Sequence, residues 1–89
     1  MIAETDKAGI LECAKKYNVS AAYLLGSTIE PDADAHDIDV AVKGLAPEYF
    51  FRFYGELVKR LSKPVDLVDL SKESRFNKLV EETGVKIYG

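Results

Sequence analysis

Two aspartates, Asp37 and Asp39, flank a single isoleucine at the start of the apolar segment DIDVAV. Residues two apart on a β-strand project from the same face, with Cα atoms about 6.6–7 Å apart. Carboxylates that close repel each other unless a cation lies between them, and a hard dication such as Mg²⁺ prefers oxygen ligands. Asp66, in the apolar segment PVDLVDL, is a candidate third ligand, with Asp69 as the alternative. Three carboxylates on adjacent strands would suit two-metal phosphoryl transfer.

A Gly–Ser turn after the apolar segment VSAAYLL offers a place for a phosphate. Gly26 lets the backbone approach a phosphate without an intervening side chain, and the hydroxyl and amide of Ser27 can donate hydrogen bonds to its oxygens. A Gly–Ser pair by itself is more often a plain turn. The phosphate interpretation therefore depends on the aspartates that follow.

The elements expected to position these residues alternate between helix and strand. Apolar spacing predicts a first helix over about 5–17, and VSAAYLL predicts a strand that ends at the Gly–Ser turn. The period-two pattern of DIDVAV predicts a second strand. Pro47 suits the first turn of a helix over about 47–62, whose apolar arc is wide enough that its rim should stay exposed or meet a partner. KPVDLVDL predicts a third strand, Ser71 the N-cap of a last helix that ends at Gly84, and VKIYG a short tail.

These elements predict one α/β (α+β) domain over residues 1–89. We expect a two-layer structure, with a small mixed β-sheet, helices packed on one face and the carboxylates on the open face. A chain of 89 residues has no room for a second core.

Composition excludes several classes of protein. The net charge of −3 argues against a broad basic surface, so nonspecific nucleic-acid binding is not expected. A single cysteine, Cys13, permits no intrachain disulfide, and with one histidine, His36, any bound metal must be held mainly by oxygen. No apolar run approaches the ~18 residues of a membrane span, and the N-terminus is acidic where a signal peptide would be basic. We expect a cytoplasmic protein without a membrane partner.

The combination of LLGS, nine intervening residues, DIDVAV and a later PVDLV resembles the minimal nucleotidyltransferases of the polymerase-beta-like superfamily. The resemblance implies a triphosphate held by the Gly–Ser turn and two Mg²⁺ ions held by aspartates, the last of which also serves as base for the incoming hydroxyl. Carried over to this chain, the nucleotide-binding residues are Gly26 and Ser27, and the catalytic, metal-binding residues are Asp37, Asp39 and Asp66.

Small stand-alone members of this family are often the antitoxin half of a toxin–antitoxin pair, whose toxin is an all-helical HEPN ribonuclease. Some of these antitoxins transfer AMP from ATP to a tyrosine of the toxin. The resemblance, which spans about residues 20–70, thus implies ATP as the nucleotide and a HEPN-type protein as the partner. It leaves open whether the chain also associates with itself.

One departure from the family pattern supports an alternative function. The family usually reads Gly-Ser-x-Ala-Arg-Gly, whereas Glu30 and Pro31 stand here in place of the last two residues. An anion where a cation would contact the triphosphate would weaken nucleotide binding by on the order of 1–3 kcal/mol. The alternative is a non-catalytic binding module that neutralises a partner toxin by contact.

Overall fold

The computed structural model describes residues 2–29 and 36–89, apart from the side chain of residue 27. In chain order the elements are α1 (Glu4–Lys16), β1 (Ala21–Leu25), a short 3-10 helix (Gly26–Ile29), β2 (Ile38–Lys43), a 3-10 turn (Pro47–Tyr49) that leads into α2 (Phe50–Arg60), β3 (Val65–Asp69), α3 (Arg75–Thr83) and β4 (Val85–Tyr88). Each helix and strand predicted from the sequence is present. No helix in these two ranges is both long enough and apolar enough to cross a lipid bilayer.

The four strands form one mixed sheet in the order β3-β2-β1-β4. β1 runs antiparallel to both β2 and β4, whereas β2 and β3 are parallel. Parallel strands cannot be joined by a tight turn, so the chain between β2 and β3 crosses the sheet as α2. This crossover places the start of β3 beside the start of β2, with Asp66 opposite Asp39.

The main core lies between the sheet and the pair formed by α1 and α2. Ile10 of α1 and Phe53 and Leu57 of α2 have no exposed surface. The strand residues that pack against them are Ala22, Leu24, Val40 and Val42. Burial of one large apolar side chain contributes about 1.5–3 kcal/mol, so this layer supplies most of the stability.

The third helix, α3, packs on the opposite face of the sheet. Its Val80 is buried in a smaller cluster with Tyr23, Ala41 and Leu70. Tyr23 and Ala41 alternate along their strands with the residues that face α1 and α2, so they belong to the other side. The predicted fold class is confirmed, with α1 and α2 on one face, while α3 covers part of the face that carries the carboxylates. Periodicity identifies an apolar stripe on a helix but not the face of the sheet that the stripe meets.

Two local features at the C-terminal end differ from expectation. The N-cap of α3 is Ser74, whose Oγ accepts a hydrogen bond from the Asn77 N–H at 3.0 Å. Ser71 instead donates its N–H to Oδ1 of Asp69 at 2.9 Å and belongs to the preceding turn. VKIYG is not a tail but forms β4, which pairs with the edge of β1 that would otherwise be open. This pairing satisfies the backbone N–H and C=O groups at the edge of β1. Neither periodicity nor composition predicts it.

Candidate active site

Two of the three predicted carboxylates meet on neighbouring parallel strands. Asp39 of β2 lies opposite Asp66 of β3 in the sheet register. Burial is the largest cause that raises the pKa of Asp39 above its ordinary value, followed by the charge of Asp66 and a hydrogen bond to it. The two carboxyl groups are therefore close enough to repel each other when both are ionised. A proton shared between them in a hydrogen bond relieves that repulsion. The same repulsion would be relieved by a cation.

Asp37 lies just before β2 and is exposed. Its negative charge also raises the pKa of Asp39, although less than the causes above. Asp37 is therefore close enough to Asp39 for the two charges to interact.

The strand register also decides between Asp66 and Asp69 as the third carboxylate. Asp69 is three residues beyond Asp66 on β3 and lies opposite Val42, so the two aspartates project from opposite faces. Oδ1 of Asp69 accepts the N–H of Ser71. The structure thus brings Asp66, and not Asp69, to Asp39.

The Gly–Ser turn approaches the same point. Gly26 has a φ of +58°, a left-handed conformation that favours glycine. A Cβ atom at residue 26 would lie 2.9 Å from Oδ2 of Asp39, which is closer than van der Waals contact allows. The backbone of the turn therefore lies directly against the carboxylate, as phosphate binding beside a metal would need. The side chain of Ser27 lies outside the described part of the structure, as do Glu30 and Pro31.

Thr28 is a residue of this site that the sequence analysis missed. It is 1% exposed, and its Oγ1 accepts a hydrogen bond from the Asp39 N–H at 3.0 Å. A buried hydroxyl normally has a hydrogen-bond partner. The only signal in the sequence was a polar residue two positions after the turn glycine, which is too weak to assign a contact eleven residues away.

The donor atoms at this site are carboxylate oxygens, the type of ligand that Mg²⁺ prefers. Asp39 and Asp66 offer carboxylate oxygens at one point, and Asp37 adds another nearby. Within residues 2–29 and 36–89, however, no three acidic, histidine or cysteine side chains are already grouped as a complete metal site. A pair of carboxylates in contact, rather than a finished cage, agrees with the way Mg²⁺ binds, through one or two carboxylates plus water and substrate phosphates.

A different surface is formed by the exposed side of α2, opposite its buried Phe53. This surface, the outer face of α2, consists of Phe51, Arg52, Tyr54, Gly55, Val58 and Lys59. Phe51 is 83% exposed and Val58 47%, as expected for a helix with so wide an apolar arc. A Cβ at Gly55 would meet nothing within 4 Å. Neither Arg52 nor Lys59 forms an ion pair with any other described residue.

A groove of about 720 Å³ adjoins this face, between the end of α1 and α2. It is lined by residues that precede β1 and follow β2, whereas Asp39 lies at the start of β2, so the groove is at the other end of the sheet. Glu56 in this groove pairs with Lys16 and accepts a hydrogen bond from the Tyr17 hydroxyl at 3.2 Å. The hydrogen bond from Lys16 is the largest of the causes that lower the pKa of Glu56 below its ordinary value. The groove is therefore not part of the carboxylate site.

Comparison with known proteins identifies the family. A family model described as "Polymerase beta, Nucleotidyltransferase" matches residues 9–89. The chain belongs to this nucleotidyltransferase family. The match includes the Gly–Ser turn and all of the candidate aspartates, which agrees with the resemblance of their spacing to this family. A search of curated proteins gives no match.

Two solved structures with a similar fold are toxin–antitoxin complexes. A crystal structure of the toxin–antitoxin MntA–HepT has a TM-score of 0.72 and 24% identity, covering 98% of this chain and 73% of that one. A crystal structure of the toxin–antitoxin with AMP-PNP has a TM-score of 0.76 and 26% identity, covering 93% of this chain and 73% of the other. The fold of this chain is therefore similar to that of chains in these pairs.

Proposed function

We propose that this chain is a Mg²⁺-dependent nucleotidyltransferase that transfers AMP from ATP to a hydroxyl group of a helical HEPN-type toxin, and so acts as an antitoxin. The observation that carries the proposal is the pairing of Asp39 with Asp66 directly beside Gly26. Membership of the nucleotidyltransferase family supports the reaction class. The similar toxin–antitoxin structure with AMP-PNP supports the nucleotide and the kind of partner.

The proposal gives each site residue a role. The exposed backbone at Gly26 and the Ser27 amide and hydroxyl bind triphosphate oxygens. Asp37, Asp39 and Asp66 hold the metal ions. Asp39 is partly buried between the other two, which suits a ligand shared by both ions. Asp66 is exposed on the side where an acceptor can approach.

The transfer itself is an in-line displacement at the α-phosphorus. When bound, two Mg²⁺ ions would lower the pKa of the attacking hydroxyl and neutralise charge on the phosphates. The Asp66 carboxylate accepts the hydroxyl proton as the oxygen bonds to the α-phosphorus. The bond from the α-phosphorus to the bridging oxygen breaks, and pyrophosphate leaves with that electron pair while the Gly26–Ser27 turn holds its oxygens.

The protein partner is supported by the outer face of α2. A phenylalanine as exposed as Phe51, next to a half-exposed Val58, leaves apolar surface that association with another protein would bury. The unpaired cations Arg52 and Lys59 on the same face would favour an acidic region of the toxin. A protein partner would also supply the acceptor hydroxyl.

Thermal unfolding with ATP tests the nucleotide half of the proposal. With MgATP at 100 times its Kd, the folded state gains about 2.7 kcal/mol, which raises Tm by about 10–20 °C in a domain of this size. ATP without Mg²⁺ should give a much smaller rise. Asp66→Asn should remove the MgATP-dependent part, whereas Asp69→Asn, on the same strand but the opposite face, should retain it. A wild-type protein with no MgATP-dependent shift would contradict the proposal.

The alternative function, neutralisation of a toxin by contact alone, is favoured by one feature of the sequence, the acidic Glu30 where the family has arginine. In that case Asp39→Asn should leave neutralisation of the co-expressed toxin unchanged. If AMP transfer is required, the same variant should bind the toxin but fail to neutralise it. Growth of cells that express both proteins separates these outcomes.

A further inference from the structure

We propose that Thr28 is a positioning residue, whose buried hydroxyl ties the phosphate-binding turn to the strand that carries Asp39. The inference rests on the proposed function, because it concerns how the turn and the metal-binding carboxylate act on one triphosphate. It assigns a role to a residue outside both the Gly–Ser pair and the three aspartates.

The hydrogen bond joins the turn to the end of the β1–β2 pairing. In β2, the Ile38 N–H donates to the Pro64 carbonyl on the side of β3, so the N–H of the next residue, Asp39, points to the side of β1. The pairing of β1 with β2 ends there, with Leu25 opposite Asp39. Oγ1 of Thr28 accepts the Asp39 N–H at 3.0 Å. The hydroxyl thus gives this backbone donor an acceptor from the turn, at the last residue pair of the β1–β2 ladder.

The surface beside the turn is indented. Thr28 lines two small surface pockets, of about 150 and 130 Å³. One is shared with Asp6 and Ser62, and the other with Ile29 and Val85. Beside these pockets, neighbouring side chains restrain the turn less than a fully packed core would. The Thr28 hydrogen bond is a fixed link between the turn and the strand.

The link acts on the geometry that transfer requires. Gly26 lies against the Asp39 carboxylate, so a small displacement of the turn changes the distance between bound phosphate and bound metal. Catalytic and binding groups must be held to within about 0.5 Å of their productive arrangement. In this proposal Thr28 contacts neither phosphate nor metal. It acts by keeping the backbone at Gly26 at a fixed distance from the Asp39 carboxylate.

The test compares Thr28→Val, which keeps the shape but removes the hydroxyl, with Thr28→Ser, which keeps the hydroxyl. We expect Thr28→Val to weaken MgATP and Mn²⁺ binding about tenfold, the scale of one lost hydrogen bond, and Thr28→Ser to remain within about threefold of the wild type. Amide hydrogen exchange of the ligand-free proteins supplies a second measurement. The Asp39 amide should exchange at least tenfold faster in Thr28→Val than in the wild type, and at nearly wild-type rate in Thr28→Ser.

Ile10→Val is the matched control for loss of stability alone. Ile10 is fully buried under the other face of the sheet, so this variant should unfold at a lower temperature but bind MgATP as the wild type does. All binding is measured at a temperature where circular dichroism shows each variant folded. Wild-type affinity and wild-type Asp39 exchange in Thr28→Val would overturn the inference and leave the proposed function intact. A wild-type protein that binds neither MgATP nor Mn²⁺ would instead overturn the proposed function.

Discussion

The carboxylate site and the outer face of α2 depart from ordinary folding rules in opposite ways. At the site, like charges on Asp39 and Asp66 are held together, and Asp39 is partly buried. On the outer face of α2, apolar groups are left in water and a glycine occupies the middle of a helix. Neither arrangement stabilises the isolated domain. Where a sequence forgoes stability, a ligand or partner often accounts for the loss.

Only one of these regions is supported by contacts within the chain. Gly26 is required by its own fold, because its φ is positive and Asp39 leaves no room for a side chain. Gly55 has no such requirement, since its surroundings are open. The first glycine is explained by the site inside the domain, and the second only by something outside it. Alanine substitutions at the two glycines should therefore have opposite effects on stability, and only the one at Gly26 should affect nucleotide binding.

Asp39→Asn should produce the largest change, and it should move activity and stability in opposite directions. The proposed AMP transfer should fall by about 10²–10³-fold, because a charged ligand at the transferring phosphate is lost. At pH 7 without metal the variant should be more stable by about 0.5 kcal/mol, a value reduced for solvent screening, since a repelling charge is removed. Transfer of label from radioactive ATP and urea unfolding measure the two effects.

Saturating MgATP should reverse this order of stability, with the wild type unfolding at the higher urea concentration. An Asp39→Asn protein that is less stable than the wild type in the absence of metal would show that the carboxylates do not repel each other as their proximity indicates.

Gly26→Ala should reduce both stability and nucleotide affinity. The left-handed φ of +58° costs a residue with a Cβ about 1–2 kcal/mol, and the new methyl group would press on the Asp39 carboxylate. Chemical denaturation and MgATP titration measure the two losses. Unchanged stability would mean that the turn adopts another conformation in solution.

Gly55→Ala should increase stability, in contrast to Gly26→Ala. An alanine in the interior of a helix is about 0.5–1 kcal/mol more favourable than glycine, and a Cβ at this position would meet open space. The variant should unfold at a higher temperature, by roughly 2–8 °C. MgATP binding should not change, because α2 lies away from the carboxylates. A decrease in Tm would contradict the view that this glycine has no role within the domain.

Glu56→Gln should produce the smallest change in stability, and the change should appear only at acidic pH. The folded pKa of Glu56 lies below the ordinary 4.5, mainly because it bonds to Lys16, so its contribution to stability is complete above pH 4.5 and is lost as the pH falls through the lower, folded value. Glu56→Gln should therefore narrow the difference in Tm between pH 7 and pH 3. The expected change is small, because the pair is exposed to solvent. An identical pH profile in the two proteins would show that this ion pair does not contribute.

The two regions also differ in how far the sequence could predict them. The exposed rim of α2 followed from its apolar arc alone, since a helix cannot turn all of so wide an arc toward one sheet. The candidate metal site needed a choice between Asp66 and Asp69 that no local pattern makes. That choice depends on which residue of β3 lies opposite Asp39, and a shift of one residue in register moves every side chain to the other face.

The amino-acid sequence by itself determined the order of the three helices and the first three strands, the residue types at the candidate site and the family, because these depend on periodicity and on the spacing of a few residues. Tertiary structure alone decided that VKIYG forms an edge strand, that α3 shares a face with the carboxylates, and that Thr28 holds the Asp39 backbone. Each of these is a pairing between segments far apart in the chain, and such pairings are selected by the burial and hydrogen bonding of the whole domain.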